Sequence, residues 1–224
     1  MVVACWSVKG GSGTTVVAAA LAAVLGRRGD GPSLLVDLEG DAPTVFGVPE
    51  PDGPGVADWL AAGDAVGLGA IERLQRPVAD GVELLARGRR SPVGVERGRR
   101  LGGHLAGLDR PVVIDVGRLA SPPSGGDVDE TLRALVECAD RSWLVTRACF
   151  LSLRRALSVG RRPDGVVLVE EEGRALGRTD VEDVLGVPVV ATVPVDASVA
   201  RAVDAGLLVA RLPVAIGRPL AAAA

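Results

Sequence analysis

Apolar residues gather in short, nearly continuous runs at Val2 to Ser7, Ser33 to Val36, Val82 to Ala86, Pro111 to Ile114, Arg141 to Val145, Gly165 to Val169 and Val189 to Val193. Runs of this length with little polar alternation fit strands covered on both faces, as in a parallel sheet. Between them the apolar spacing changes to the helical period over Thr15 to Arg28, Val93 to Leu105, Val128 to Ala139, Leu151 to Gly160 and Ala197 to Ala205. This alternation predicts an α/β fold, a mostly parallel sheet flanked by helices on both sides. Pro49 to Gly55 and Ser121 to Gly126 read as surface loops too short to separate domains, so one domain over residues 1–224 is expected. No internal repeat interrupts the pattern, and the Ala221 to Ala224 tail is expected to fray.

Composition narrows the function more than the fold. With 224 residues, 48% of them apolar, the chain is long enough to bury a core of its own. Lys and Arg total 25 against 28 Asp and Glu, a net charge of −3, so no global field draws it to nucleic acid or anionic lipid. The three cysteines, Cys5, Cys138 and Cys149, form neither a disulfide framework nor a CxxC motif and are expected to be small buried side chains. Lys9 and a glycine run break the apolar start too early for a secretory signal, which predicts a cytoplasmic protein. The longest mainly apolar segment, Thr14 to Gly26, falls short of the ~20 residues of a membrane-spanning helix, so no span is predicted.

Almost every basic residue is Arg; Lys9 is the only lysine. A lysine kept at one place against that bias points to chemistry that the broad guanidinium fork cannot perform, a chance survivor being the alternative. It opens Lys9-Gly10-Gly11-Ser12-Gly13-Thr14-Thr15, which follows the first strand and runs into an Ala-rich helix. Strand, glycine loop and helix in that order make a phosphate-binding loop: glycines let successive N–H groups converge, and the helix adds its positive dipole end. Thr15 stands where a hydroxyl would bind the Mg2+ that bridges phosphate oxygens. A glycine-rich turn without ligand is the alternative.

These residues resemble the deviant Walker A motif, KGGxGK[ST], of the ParA/MinD family of P-loop NTPases, in the SIMIBI class. Lys9 falls on the signature lysine, which in that family reaches across a nucleotide-sandwiched dimer to the partner's phosphates, and Gly10, Gly11, Gly13 and Thr15 match. The resemblance implies ATP and Mg2+ as cofactors and a homodimer formed on ATP binding. Thr14 occupies the place of the ordinary phosphate-loop lysine. Loss of one charge-assisted contact of about 1.5 to 3 kcal/mol weakens nucleotide binding about tenfold to a hundredfold and a transition state more, so hydrolysis is expected to be slow or absent.

The likeness continues along the chain. Leu34 to Asp41 looks like the family's strand-end segment, and its leading acid, Asp37, maps to a carboxylate near the attacking water and the metal shell; a carboxylate that caps the next turn is the alternative. Pro111 to Gly117 is similar to the Walker B and switch region. That similarity implies Asp115 as a Mg2+ ligand through water and Gly117 as an N–H donor to the terminal phosphate. Val187 to Asp196 resembles the strand and loop beside the base, which implies Pro194, Val195 and Asp196 as flanking residues. Glu170 stands where the family usually carries an adenine-binding Asn and cannot donate to a ring nitrogen. A non-lysine residue at position 14 is familiar in the CpaE/TadZ branch, whose members help position Tad pilus machinery.

Three functions follow. The first is a nucleotide-controlled positioning switch that recruits a protein partner, such as secretion or pilus machinery. The second is a nucleoid-binding partition ATPase, which would use the cluster Arg87, Arg89, Arg90, Arg97, Arg99 and Arg100; nucleic-acid binding is not favoured. The third is a pseudo-ATPase scaffold. Arg211 to Ala224 lacks the basic amphipathic helix of a membrane oscillator, Cys138 and Cys149 lack the pairing of the iron–sulfur relatives, and His104 reads as structural.

Overall fold

The computed structural model describes residues 1–29, 31–63 and 65–224. Its strands are β1 (Val2–Ser7), β2 (Ser33–Asp37), β3 (Arg76–Ala79), β4 (Val82–Leu85), β5 (Val112–Arg118), β6 (Arg141–Arg147), β7 (Gly165–Glu170) and β8 (Val189–Pro194). They form one eight-stranded sheet in the order β3-β4-β2-β5-β1-β6-β7-β8. Every neighbouring pair is parallel except β3 and β4. The helices are α1 (Thr14–Gly26), α2 (Ala42–Phe46), α3 (Val56–Leu60), α4 (Gly69–Leu74), α5 (Val95–Ala106), α6 (Asp127–Glu137), α7 (Phe150–Ser158), α8 (Arg178–Leu185), α9 (Ala197–Asp204) and α10 (Val214–Ala223).

Two apolar layers sandwich the sheet. Alternate residues of β1 divide between them: Val2, Ala4 and Trp6 face a layer built with α3 to α8, while Val3 and Cys5 face α1, α2 and α10. Helix α1 is buried on nearly all sides, which explains a sequence without a polar stripe. Its alanines combine high helix propensity with little bulk, so it lies close to the central strands.

The α/β expectation holds, with differences at the margins. β5 runs past Ile114 as far as Arg118, because parallel pairing with β1 continues through the polar residues. Helices α2, α3 and α4 are too short to display a helical period, and β3 is an exposed edge strand containing Pro77, as edges tolerate. The C-terminal alanines are helical rather than frayed: α10 buries Ile216 and Leu220, and Ala221, Ala223 and Ala224 pack against the α1 layer. Of the cysteines, only Cys5 is fully buried; Cys138 and Cys149 are half-buried, correcting the expectation for those two. Among the described residues no helix is long and apolar enough to cross a membrane.

Candidate phosphate-binding site

β1 lies near the middle of the sheet, between β5 and β6, and hands the chain to the glycine loop at its C-terminal edge. In open parallel sheets that edge carries the crevice where ligands bind. Ser7 Oγ donates to the carbonyls of Lys9 (3.2 Å) and Gly117 (3.3 Å), and Ser12 Oγ donates to Lys9 O at 2.7 Å, tightening the loop from within. Gly13 precedes α1 with φ +87°, a left-handed conformation that an L side chain rarely adopts. The first turn of α1 has neither an acidic side chain nor a side-chain cap, so its positive end remains available to an anion.

A cavity of about 350 Å3 opens there, lined by residues 10 to 15, by Glu39 and Asp41 after β2, and by Gly117 and Arg118 at the end of β5. Beside it a more apolar cleft of about 230 Å3 shares Gly13, Val16 and Val203 with the first and is walled by Val169, Pro194, Val195 and Asp196. Pro194 to Asp196 thus lie next to the loop but outside its cavity. Glu170 closes β7, and its carbonyl accepts from Val195 N at 2.7 Å.

Two buried acids lie under the cavity. Asp37 Oδ1 accepts from the N–H groups of Glu39 (3.1 Å) and Gly40 (2.7 Å), and Oδ2 from Ala42 N at 3.2 Å. Burial lifts its pKa to about 6 despite those bonds. Asp115 Oδ1 accepts from Gly117 N at 3.1 Å, whereas Oδ2 is buried without a partner among the described residues. Burial, then the charge of Asp37, raise Asp115 to about 7, against the pull of the Thr15 hydroxyl and the Gly117 N–H. An unsatisfied carboxylate oxygen beside a threonine hydroxyl suits a hard divalent cation, so Thr15 and Asp115 fit Mg2+.

Asp37 does not line the cavity; Glu39, two residues on, does. Its signal in the sequence is the second acid of Asp37-Leu38-Glu39; the motif resemblance assigns no role to Glu39, Asp41 or Arg118. Lys9 is half-buried and also stands outside the cavity lining. Its charge acts on Cys149, the residue before α7: burial opposes ionisation of that thiol, but hydrogen bonds with Ser152 and the charges of Lys9 and Arg174 outweigh it and hold the pKa below the usual thiol value.

The arginine cluster does not form one free stripe. Arg97 is buried and stacked on Trp59, 3.8 Å from the ring centroid. Arg87 donates to Glu39 O, Arg89 to Asp52 O, and Arg99 pairs with Glu96. His104 sits on α5, outside both clefts.

No protein-family model and no curated protein matches the chain. Solved structures do. The ParA family ATPase from Chlorobium tepidum TLS superposes with a TM-score of 0.73 at 19% identity, covering 98% of this chain and 95% of that one. MinD from Pyrococcus horikoshii OT3, complexed with Mg-ADP, gives 0.75 at 18% identity over 99% and 93%. The MinC:MinD complex of Aquifex aeolicus gives 0.75 at 17% over 99% and 93%. The chain has the P-loop NTPase fold of the ParA and MinD structures.

Proposed function

We propose that this chain is an ATP- and Mg2+-binding positioning switch of the cytoplasm, which dimerises on nucleotide and then recruits a protein partner. The observation that carries the reading is the uncapped, acid-free N-terminus of α1 behind a left-handed Gly13, opening on a cavity large enough for a phosphate chain. The N–H groups of residues 10 to 15 bind the phosphates, with Ser12 holding the loop closed. The fold shared with a MinD bound to Mg-ADP supports the choice of nucleotide.

Thr15 and Asp115 hold the metal. Magnesium supplies a double positive charge that neutralises phosphate oxygens and relieves the buried Asp115 carboxylate. Asp37 spends its oxygens on the amides of residues 39, 40 and 42, which fixes the segment that aims Glu39. Glu39, exposed in the cavity beside Gly117, is the carboxylate placed to orient water. Pro194 to Asp196 and Val169 flank the base in the apolar cleft, and Thr14, which brings no cation, leaves hydrolysis slow or absent. Thr14 also supports the CpaE/TadZ branch, and with it pilus machinery as the partner.

Lys9, half-buried and outside the lining of its own subunit's cavity, is the residue that reaches a second copy. Light scattering is expected to give a doubled mass with ATP and Mg2+ and a single mass without. Lys9→Ala is expected to bind ATP yet remain monomeric. An unchanged mass for the parent chain with ATP bound removes the switch and leaves a nucleotide-binding scaffold.

A further inference from the structure

The cavity wall carries two exposed carboxylates, Glu39 and Asp41, and among its described lining residues a single cation, Arg118. Arg118 is exposed, and its guanidinium makes no hydrogen bond or ion pair with any described residue. Arg87, Arg97, Arg110 and Arg133 are all engaged within the molecule.

Its presence on this wall has a local cause. In the parallel ladder Cys5 pairs with Asp115 on the α1 face of the sheet, and two residues on along β1 Ser7 returns to that face. An unbroken register would set Gly117 opposite Ser7. The register slips between Cys5 and Trp6, so Trp6 pairs with Gly117 and Ser7 with Arg118. A one-residue slip turns following side chains to the opposite face, and here it carries Arg118 to the side of Asp115, Thr15 and the loop. The slip leaves Val116 unpaired, immediately before Gly117, whose φ of +69° is left-handed and whose added Cβ would lie 2.0 Å from Glu39 Oε2. Glycine at 117 therefore permits both the slip and the close approach of Glu39.

We propose that Arg118 is a phosphate-binding residue which supplies, from the end of β5, the positive charge that Thr14 does not bring from the loop. The proposal rests on the nucleotide reading above and deepens it: a polyphosphate enters between the amides of residues 10 to 15 and the Arg118 guanidinium. Arginine suits the place, because its fork binds two phosphate oxygens at once and keeps its charge beside two acids.

The test is a cycle of four proteins titrated with ATP and Mg2+ by calorimetry: the parent chain, Arg118→Ala, Thr14→Lys and the double variant. Arg118→Ala is expected to lose about tenfold to a hundredfold in ATP affinity, with an unchanged ligand-free melting temperature, since the side chain is exposed and unpartnered. Thr14→Lys is expected to restore that loss, and to gain more affinity in the Arg118→Ala background than in the parent, because either cation serves the same phosphates. Arg118→Ala binding as tightly as the parent, or a loss that Thr14→Lys does not restore, overturns the proposal while leaving nucleotide binding intact. A parent chain that binds no ATP overturns both readings together.

Discussion

Asp115→Asn is expected to raise the melting temperature of the ligand-free protein at pH 8 while removing its response to Mg2+. Asp115 is fully buried, one of its oxygens is orphaned, and its pKa sits near 7 with that of Asp37 near 6. Both values lie above those of the unfolded chain, so the folded state holds more protons across the intervening window. Stability from these groups is therefore fully present below about pH 4 and is lost as pH rises through about 7. Asparagine keeps the shape and an acceptor for Gly117 N without the buried charge. The gain at pH 8 is on the order of 2 to 4 kcal/mol, roughly 5 to 12 °C, smaller at pH 5 and shrinking towards nothing only below about pH 4. The same variant is expected to bind ATP equally with and without Mg2+. A variant less stable than the parent at pH 8, or an equal difference at pH 5 and pH 8, contradicts a carboxylate kept charged for a cation.

The second large effect belongs to the loop backbone. Gly13→Ala places a Cβ at φ +87°, at a cost of about 1 to 2 kcal/mol that the chain escapes only by rotating the amides at the start of α1. Melting is expected to fall by roughly 3 to 6 °C and ATP binding to be lost. Gly10→Ala is the matching control, since Gly10 has no positive φ and its added Cβ meets nothing within 4 Å. Its melting temperature is expected to stay at the parent value. Equal losses for the two variants, read by scanning calorimetry, mean that side-chain volume and not backbone conformation governs the loop.

Much of this was legible because it is written in local patterns. Apolar runs mark the buried parallel strands, and the glycine loop announces itself between β1 and α1 within a few residues. What escaped depends on distant partners. Nothing near Arg118 reveals that β5 slips against β1, and only that slip separates an arginine on the opposite face of the sheet from one on the cavity wall. The spacing of Asp37 and Glu39 shows two acids but not that the first is held by three backbone amides. Helix α8 lies between Gly177 and Gly186 with Val181 as its only buried residue, too little apolar spacing to stand out. The tail alanines look like a frayed end until α1 and β8 supply the surface they cover.

Calorimetric titration of ATP in the presence of Mg2+ tests the central claim, that the amides at the head of α1 capture a polyphosphate. Saturable heat is expected with one ATP per chain, weakened when Mg2+ is withdrawn. A titration without heat at millimolar ATP, joined to an unmoved melting curve, contradicts the account.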